Sequence, residues 1–217
     1  KVPKNAHIIA ANGTSSIISL LPSIFKKGNV DIYHPSYNEY EAAFLRNGWK
    51  VSNTDLRARI LVNPNNPDGK YWSSKDILPN GQITIIDESF CDLTPDRSLI
   101  RFSNQPGVII LKSFGKFWGL AGLRLGCAIA SPETLQNLRS ALGPWPASGP
   151  ALFIGAALGG ILCILLVEIG FPTDYCSNIT IATLAAVGSS VIGAPITVVL
   201  IIVELTGSYE YGLMALL

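Results

Sequence analysis

All 16 lysines and arginines of this 217-residue chain lie between Lys1 and Arg139. After Pro150 the only charged side chains are Glu168, Asp174, Glu204 and Glu210. The first 150 residues set 16 basic against 11 acidic groups, a net +5, and the remainder carries −4, so the bland overall charge of +1 conceals two bodies. The second body is strongly apolar. Residues 151–171, "ALFIGAALGGILCILLVEIGF", hold one charge in 21 positions, and residues 179–203 hold none in 25. A membrane-crossing helix needs about 20 apolar residues. A buried globular helix fits poorly, being ordinarily shorter and flanked by Lys or Arg. Gly155 and Gly159 form a GxxxG, the spacing that lets helices approach closely in lipid. Gly193 and Pro195 interrupt the second run, as in broken helices that line a protein interior. An all-α transmembrane fragment over 150–217 is therefore expected.

Upstream, strand and helix periods alternate. "HIIAA", "VDIY", "WKVS", "RILVN", "ITIID", "GVIIL" and "RLGCAIA" read as short strands. Between them, "SSIISLLPSIFKKG" has helical spacing up to Gly28, "YNEYEAAFLRNG" is amphipathic up to Gly48, and "PETLQNLRSAL" is a helix opening on Pro. The pattern predicts an α/β domain over 1–149 with a mostly parallel sheet and its site at the strand C-terminal ends. The four cysteines, Cys91, Cys127, Cys163 and Cys176, make no CxxC pair or Cys/His cluster, which suits free thiols in a reducing compartment. "KVPKNAHIIA" lacks the apolar core of a signal peptide, and the absence of an initial Met raises the expectation of a fragment.

Polar residues gather where the strands end. "NGTSS" opens a helix whose free N–H groups and hydroxyls suit a phosphate, although a simple Ser/Thr cap would look similar. "NPNNPDG" is a turn whose Asn side chains can hold a ligand, and Asp87 ends an apolar strand. "KSFGKFWGLAGLR" places Ser113, Lys116 and Arg124 on a Gly-rich loop. A lysine beside a phosphate cradle and a buried acid is what carbonyl-condensation chemistry requires.

"NPNNPDG", "IIDESF" and "SFGKFWGLAGLRLG", in that order, resemble the fold-type-I pyridoxal-phosphate enzymes. Within these, "HPSYNEYEAAFLRNGWKVS" and "LGPWPASGPAL" are similar to the histidinol-phosphate aminotransferase branch and its threonine-phosphate decarboxylases of cobalamin biosynthesis. The resemblance spans residues 7–152 and implies pyridoxal 5'-phosphate as cofactor, a small phosphorylated amino-acid-like substrate and a homodimer, with no nucleic-acid partner. It implies that Lys116 is the catalytic residue that condenses with the cofactor aldehyde, and that Asp87 pairs with the ring nitrogen. Asn66 would bond the ring hydroxyl, Tyr37 would stack on the ring, and Thr14, Ser15, Ser113 and Arg124 would hold the phosphate. Only an Arg fork can engage phosphate oxygens bidentately. Phe90 stands where many aminotransferases have a Tyr that touches the ring oxygen, which favours decarboxylation over transamination. The stretch from Gly69 to Gln82 is shorter than in relatives, which place a longer helix there. The family's N-terminal arm and its small domain, with the Arg that grips the substrate carboxylate, have no counterpart, so turnover by this chain alone is not expected.

"PALFIGAALGG" followed by "GSSVIGAPITVVLIIVELTGSYEYGLMALL" resembles the end of the membrane domain of the ClC chloride channels and chloride/proton antiporters, also homodimers. That resemblance implies membrane association through 151–217 with residues 1–149 in the cytoplasm. "PASGP" departs from the family's Gly-x-Phe-x-Pro, with Ser148 at the Phe position and only Pro150 in agreement. The gating-glutamate loop has no counterpart, and Glu168 and Glu204 are not that gate. An anion pathway is therefore not expected. The identity changes within "SGPALFIGAALGG" without a spacer, which predicts a joint between two truncated genes.

Overall fold

Six of the seven strands run in one direction, and the exception decides where the site forms. The computed structural model describes residues 1–79, 81–144 and 146–147, with four further helical positions at Ala157, Ile161, Ile164 and Glu168. The chain divides into two units, Lys1–Gly143 and Pro144–Leu217. The elements of the first are β1 (His7–Asn12), α1 (Thr14–Ile24), β2 (Asn29–Ile32), α2 (Glu39–Arg46), β3 (Lys50–Val51), β4 (Leu56–Val62), β5 (Ile83–Asp87), β6 (Val108–Ser113), β7 (Leu125–Ala130) and α3 (Pro132–Leu142). They form one sheet in the order β1-β7-β6-β5-β4-β2-β3.

Strands β2 to β6 pair in parallel, while β7 is antiparallel to both β1 and β6. The mostly parallel sheet is thus as expected. The inversion has a direct consequence: the start of β7 lies beside the ends of its neighbours, with Leu125 opposite Asn12 and Gly126 opposite Ser113. Asp87 ends β5 beside Val62 on one side and Leu111 on the other. Five segments therefore deliver their polar ends to one edge.

Strand side chains alternate between faces. On one face Ala58, Ile60, Val62, Ile85, Ile109, Leu111 and Ala128 pack against Ile17, Ile18 and Leu21 of α1, Tyr40 and Phe44 of α2, and Leu135 and Leu138 of α3. On the other, Leu61, Ile86, Val108, Ile110, Cys127 and Ile129 pack against Leu99, Trp72 and Phe102 from the loops. Helix α1 ends at Ile24 rather than running to Gly28. Phe25 turns extended at φ −114° and ψ 157° and folds against the core. The Pro22 carbonyl is taken by the Trp49 indole at 2.9 Å. Between Gly69 and Gln82 the described residues form one short 3-10 turn, Ser74–Asp76, closed by a capping box from Ser73. Burial pushes the thiols of Cys91 and Cys127 up to about 11, so both are inert neutral groups near pH 7.

The apolar runs read as membrane helices fall, apart from the four helical positions, outside the described residues. Among the described residues no helix is long and apolar enough to cross a membrane.

Candidate active site

The turn from β1 into α1 is built for close approach. Gly13 adopts φ +79°, a left-handed conformation that favours glycine. No side chain among the described residues caps α1; the Ser16 N–H goes to the Gly13 carbonyl at 3.2 Å, which leaves those of Thr14 and Ser15 at the helix start. Across from them, a Cβ at Gly126 would run into the Thr14 nitrogen and stand 2.8 Å from the Gly13 carbonyl carbon. Glycine at that β7 position lets the antiparallel strand lie against the helix start. Arg124, two residues earlier, is thereby laid over it: a Cβ at Gly13 would stand 3.0 Å from Arg124 Nη2 and 3.3 Å from Cζ. Arg124 itself has left-handed backbone, φ 51° and ψ 43°, which costs a non-glycine residue about 1–3 kcal/mol. A guanidinium held by a strained backbone over free helix N–H groups makes a cationic end suited to a phosphate.

The opposite end is anionic. Asp87 is 5 % exposed. Its Oδ1 accepts from the Ser89 amide at 2.9 Å and the Ser89 hydroxyl at 2.6 Å, and its Oδ2 accepts from the Tyr40 hydroxyl at 2.7 Å. Between the two ends lies a cavity of about 220 Å³. Thr14, Ser15, Tyr37, Asn66, Asp87, Ser113, Lys116 and Arg124 all line it, with Ser89 and Phe90. The structure thus brings together every site residue read from the sequence.

Three asparagines of "NPNNPDG" separate by their bonds. The Asn63 amide donates to Glu88 Oε1 and the Arg97 carbonyl at 3.4 and 3.2 Å. That of Asn65 donates to the Pro35 carbonyl and Asp68 Oδ1 at 2.9 and 2.7 Å. Both stitch the loop, which leaves Asn66 as the one lining the cavity. The Tyr37 ring meets Tyr40 edge-on at 6.2 Å. Its phenol is raised above its usual value by burial, then by the Glu39 and Asp87 charges, with Arg124 pulling the other way. Lys116 presents Nζ 5.6 Å from the centre of the Phe90 ring.

Two lysines sit four residues apart in "LKSFGK", and β6 sorts them. Ser113 shares the helix-covered face with Leu111, while Lys112 points to the other face. There its ammonium lies 2.9 Å from Asp92 and 3.2 Å from Glu88. Burial opposes its charge, yet the two carboxylates outweigh it and hold Lys112 above the ordinary lysine value. Sequence reasoning had not singled out Tyr40, Ser89 or the Glu88–Lys112 pair. Tyr40 follows Tyr37 by three residues at the start of an amphipathic helix, and strand parity separates Asp87 from Glu88. Those signals were available.

The family model for aminotransferase class I and II matches residues 1–159. That for the voltage gated chloride channel matches residues 148–217, so 148–159 belong to both matches. The threonine-phosphate decarboxylase of Pseudomonas aeruginosa is 36% identical over 160 residues, covering 66% of this chain and 48% of the relative. That of Sinorhizobium sp is 40% identical over 163 residues, covering 67% and 49%. The solved histidinol-phosphate aminotransferase of Clostridium acetobutylicum superposes with a TM-score of 0.60 at 26% identity, over 66% of this chain and 51% of that one. The chain spans about half the length of the curated relatives it matches.

Proposed function

Because this chain belongs to the aminotransferase class I and II family, we propose that its first unit is the cofactor-binding part of a pyridoxal 5'-phosphate enzyme. The reaction proposed is decarboxylation of a small phosphorylated amino acid, with amino-group transfer as the alternative. The observation that carries the reading is the polarity of one cavity, with Arg124 and the α1 N-terminus at one end, Asp87 at the other, and Lys116 on its wall. Those residues fit the cofactor. Arg124, Ser113, Thr14 and Ser15 would hold the phosphate, Asp87 would take the ring N–H, Asn66 the ring oxygen, and Tyr37 would cover the ring. Lys116 would tether the group through Nζ. When bound, pyridoxal phosphate supplies an electron sink for chemistry at an amino-acid α-carbon. Phe90 lines the cavity but offers no hydroxyl, which supports decarboxylation. A phosphorylated substrate belongs to the same proposal, supported by the threonine-phosphate and histidinol-phosphate relatives, and we propose a homodimer with it.

A spectrophotometric titration of the full chain with pyridoxal phosphate tests the reading, and saturation at one equivalent is expected. Arg124→Lys should weaken binding about tenfold, because a point charge replaces a charge-assisted fork worth about 1.5–3 kcal/mol. Non-saturable uptake, equal in both proteins, would defeat the assignment.

A second reading concerns residues 148–159, where the two family matches overlap. We propose a joint there between an enzyme domain and a chloride-channel-like segment that anchors the chain in a membrane, with the first unit in the cytoplasm. Alkaline-washed membranes should retain the full chain, and recovery in the wash would count against the anchor. Single-molecule reads of the source DNA across codons 142–160 should span the joint, and reads that never cross it would dissolve it.

A further inference from the structure

Tyr40 is wholly buried, 0 % exposed, and its hydroxyl spends its donor on a carboxylate oxygen rather than a backbone carbonyl. A buried tyrosine needs some partner. This partner is Asp87, the acid at the anionic end of the cavity. Resting on the pyridoxal-phosphate reading above, we infer that Tyr40 is a positioning residue that keeps the shared proton on the cofactor's ring nitrogen rather than on Asp87.

The chemistry follows from the donors. With Oδ1 held twice by Ser89 and Oδ2 once by Tyr40, the Asp87 charge is spread over three hydrogen bonds at 2.9, 2.6 and 2.7 Å. Hydrogen bonds donated to a carboxylate stabilise its ionised form. Each is charge-assisted, and the low dielectric around a fully buried phenol strengthens it. Asp87 lines the cavity, whose other titratable and charged groups are Tyr37 beside α2 and Lys116 and Arg124 from the loop between β6 and β7. Glu88, Lys112 and Asp92 pair with one another on the far face of the sheet. Burial, with the Asp87 charge added to it, lifts the Tyr40 phenol well above its ordinary value. Tyr40 therefore stays protonated and serves only as a donor. It approaches Asp87 from α2, which ties the register of that helix to the state of the cofactor ring.

The test uses the full chain loaded with pyridoxal phosphate labelled with ¹⁵N in the ring. In the parent protein the ring-nitrogen resonance should lie at the protonated position. Tyr40→Phe keeps the ring packing and removes one oxygen. It should move the resonance toward the neutral-pyridine position. Incorporating 3-fluorotyrosine at position 40 keeps the shape and strengthens the donor, so the resonance should stay at or move beyond the parent's position. A purely structural role predicts no such opposition of sign. Should Tyr40→Phe lack a cooperative melt, the fluorinated protein decides alone: a resonance displaced toward the neutral position overturns the inference. An unchanged resonance in a folded Tyr40→Phe protein overturns it and leaves the pyridoxal-phosphate reading intact. Failure of the parent protein to bind the cofactor removes both.

Discussion

Borohydride reduction of the full chain, in the presence of one equivalent of pyridoxal phosphate, should add the cofactor's mass to Lys116, and Lys116→Ala should abolish that label. The reason lies in the contrast with Lys112. An amine attacks a carbonyl only when it has lost its proton, and the proton on Lys112 is held by carboxylates at 2.9 and 3.2 Å. Lys112 also faces away from the cavity. Lys116 lines the cavity with its Nζ 5.6 Å from the centre of the Phe90 ring. Arg124 and the start of α1 concentrate the phosphate, which raises the effective concentration of the aldehyde at Nζ. Peptide mapping reads the outcome. Label on Lys112, or label spread evenly over surface lysines and unchanged in Lys116→Ala, would sink the assignment of the nucleophile.

The strands were legible because strands buried on both faces leave continuous apolar runs. "GVIIL" carries no polar residue and "ITIID" only Thr84 until the site begins. That also made Asp87 conspicuous, since an acid at the end of such a run needs a reason. The site residues were legible for a related cause: in an α/β sheet they sit at strand ends, a few positions after each run. The direction of β7 was not legible. Period-2 alternation is the same read forwards or backwards, and the glycine that permits the inversion, Gly126, shows its purpose only when Thr14 is found against it. Neither was the end of α1. Helical spacing continues through Phe25, but a tertiary contact with the core overrides it. Tyr40 went unread because a helical aromatic is ordinarily core. The ring does pack there, and only its last atom reaches Asp87.

Lys112→Met should cost the enzyme-like unit about 3–5 kcal/mol, the usual result of leaving one member of a buried ion pair behind. Glu88 is 0 % exposed. Its Oε1 accepts from the Leu99 amide at 2.6 Å and the Asn63 amide at 3.4 Å, and its Oε2 from the Ser98 hydroxyl at 2.6 Å. Without Lys112 the carboxylate keeps those neutral donors but loses its nearest cation, and water cannot reach it. The surface pair Arg59–Asp31 makes the comparison. At 2.8 Å it is the shorter contact, but its side chains are 26 and 30 % exposed, and such a pair contributes at most about 1 kcal/mol. Burial, rather than distance, decides which pair matters. The double change Glu88→Gln, Lys112→Met should recover most of the loss, since the amide replaces a charge with a group those donors can still satisfy. Urea denaturation followed by tryptophan fluorescence checks both, because Trp72 packs on that face of the sheet. A single variant within about 1 kcal/mol of the parent would show that Glu88 is held by its neutral donors alone. The consequence reaches the active site through the chain itself. Glu88 directly follows Asp87 and pins the Asn63 side chain, and the backbone N–H of Asn63 donates to the Asp87 backbone carbonyl at 2.7 Å. Loosening the pair on the far face therefore loosens the acid on the near one, and cofactor affinity should fall together with stability in Lys112→Met.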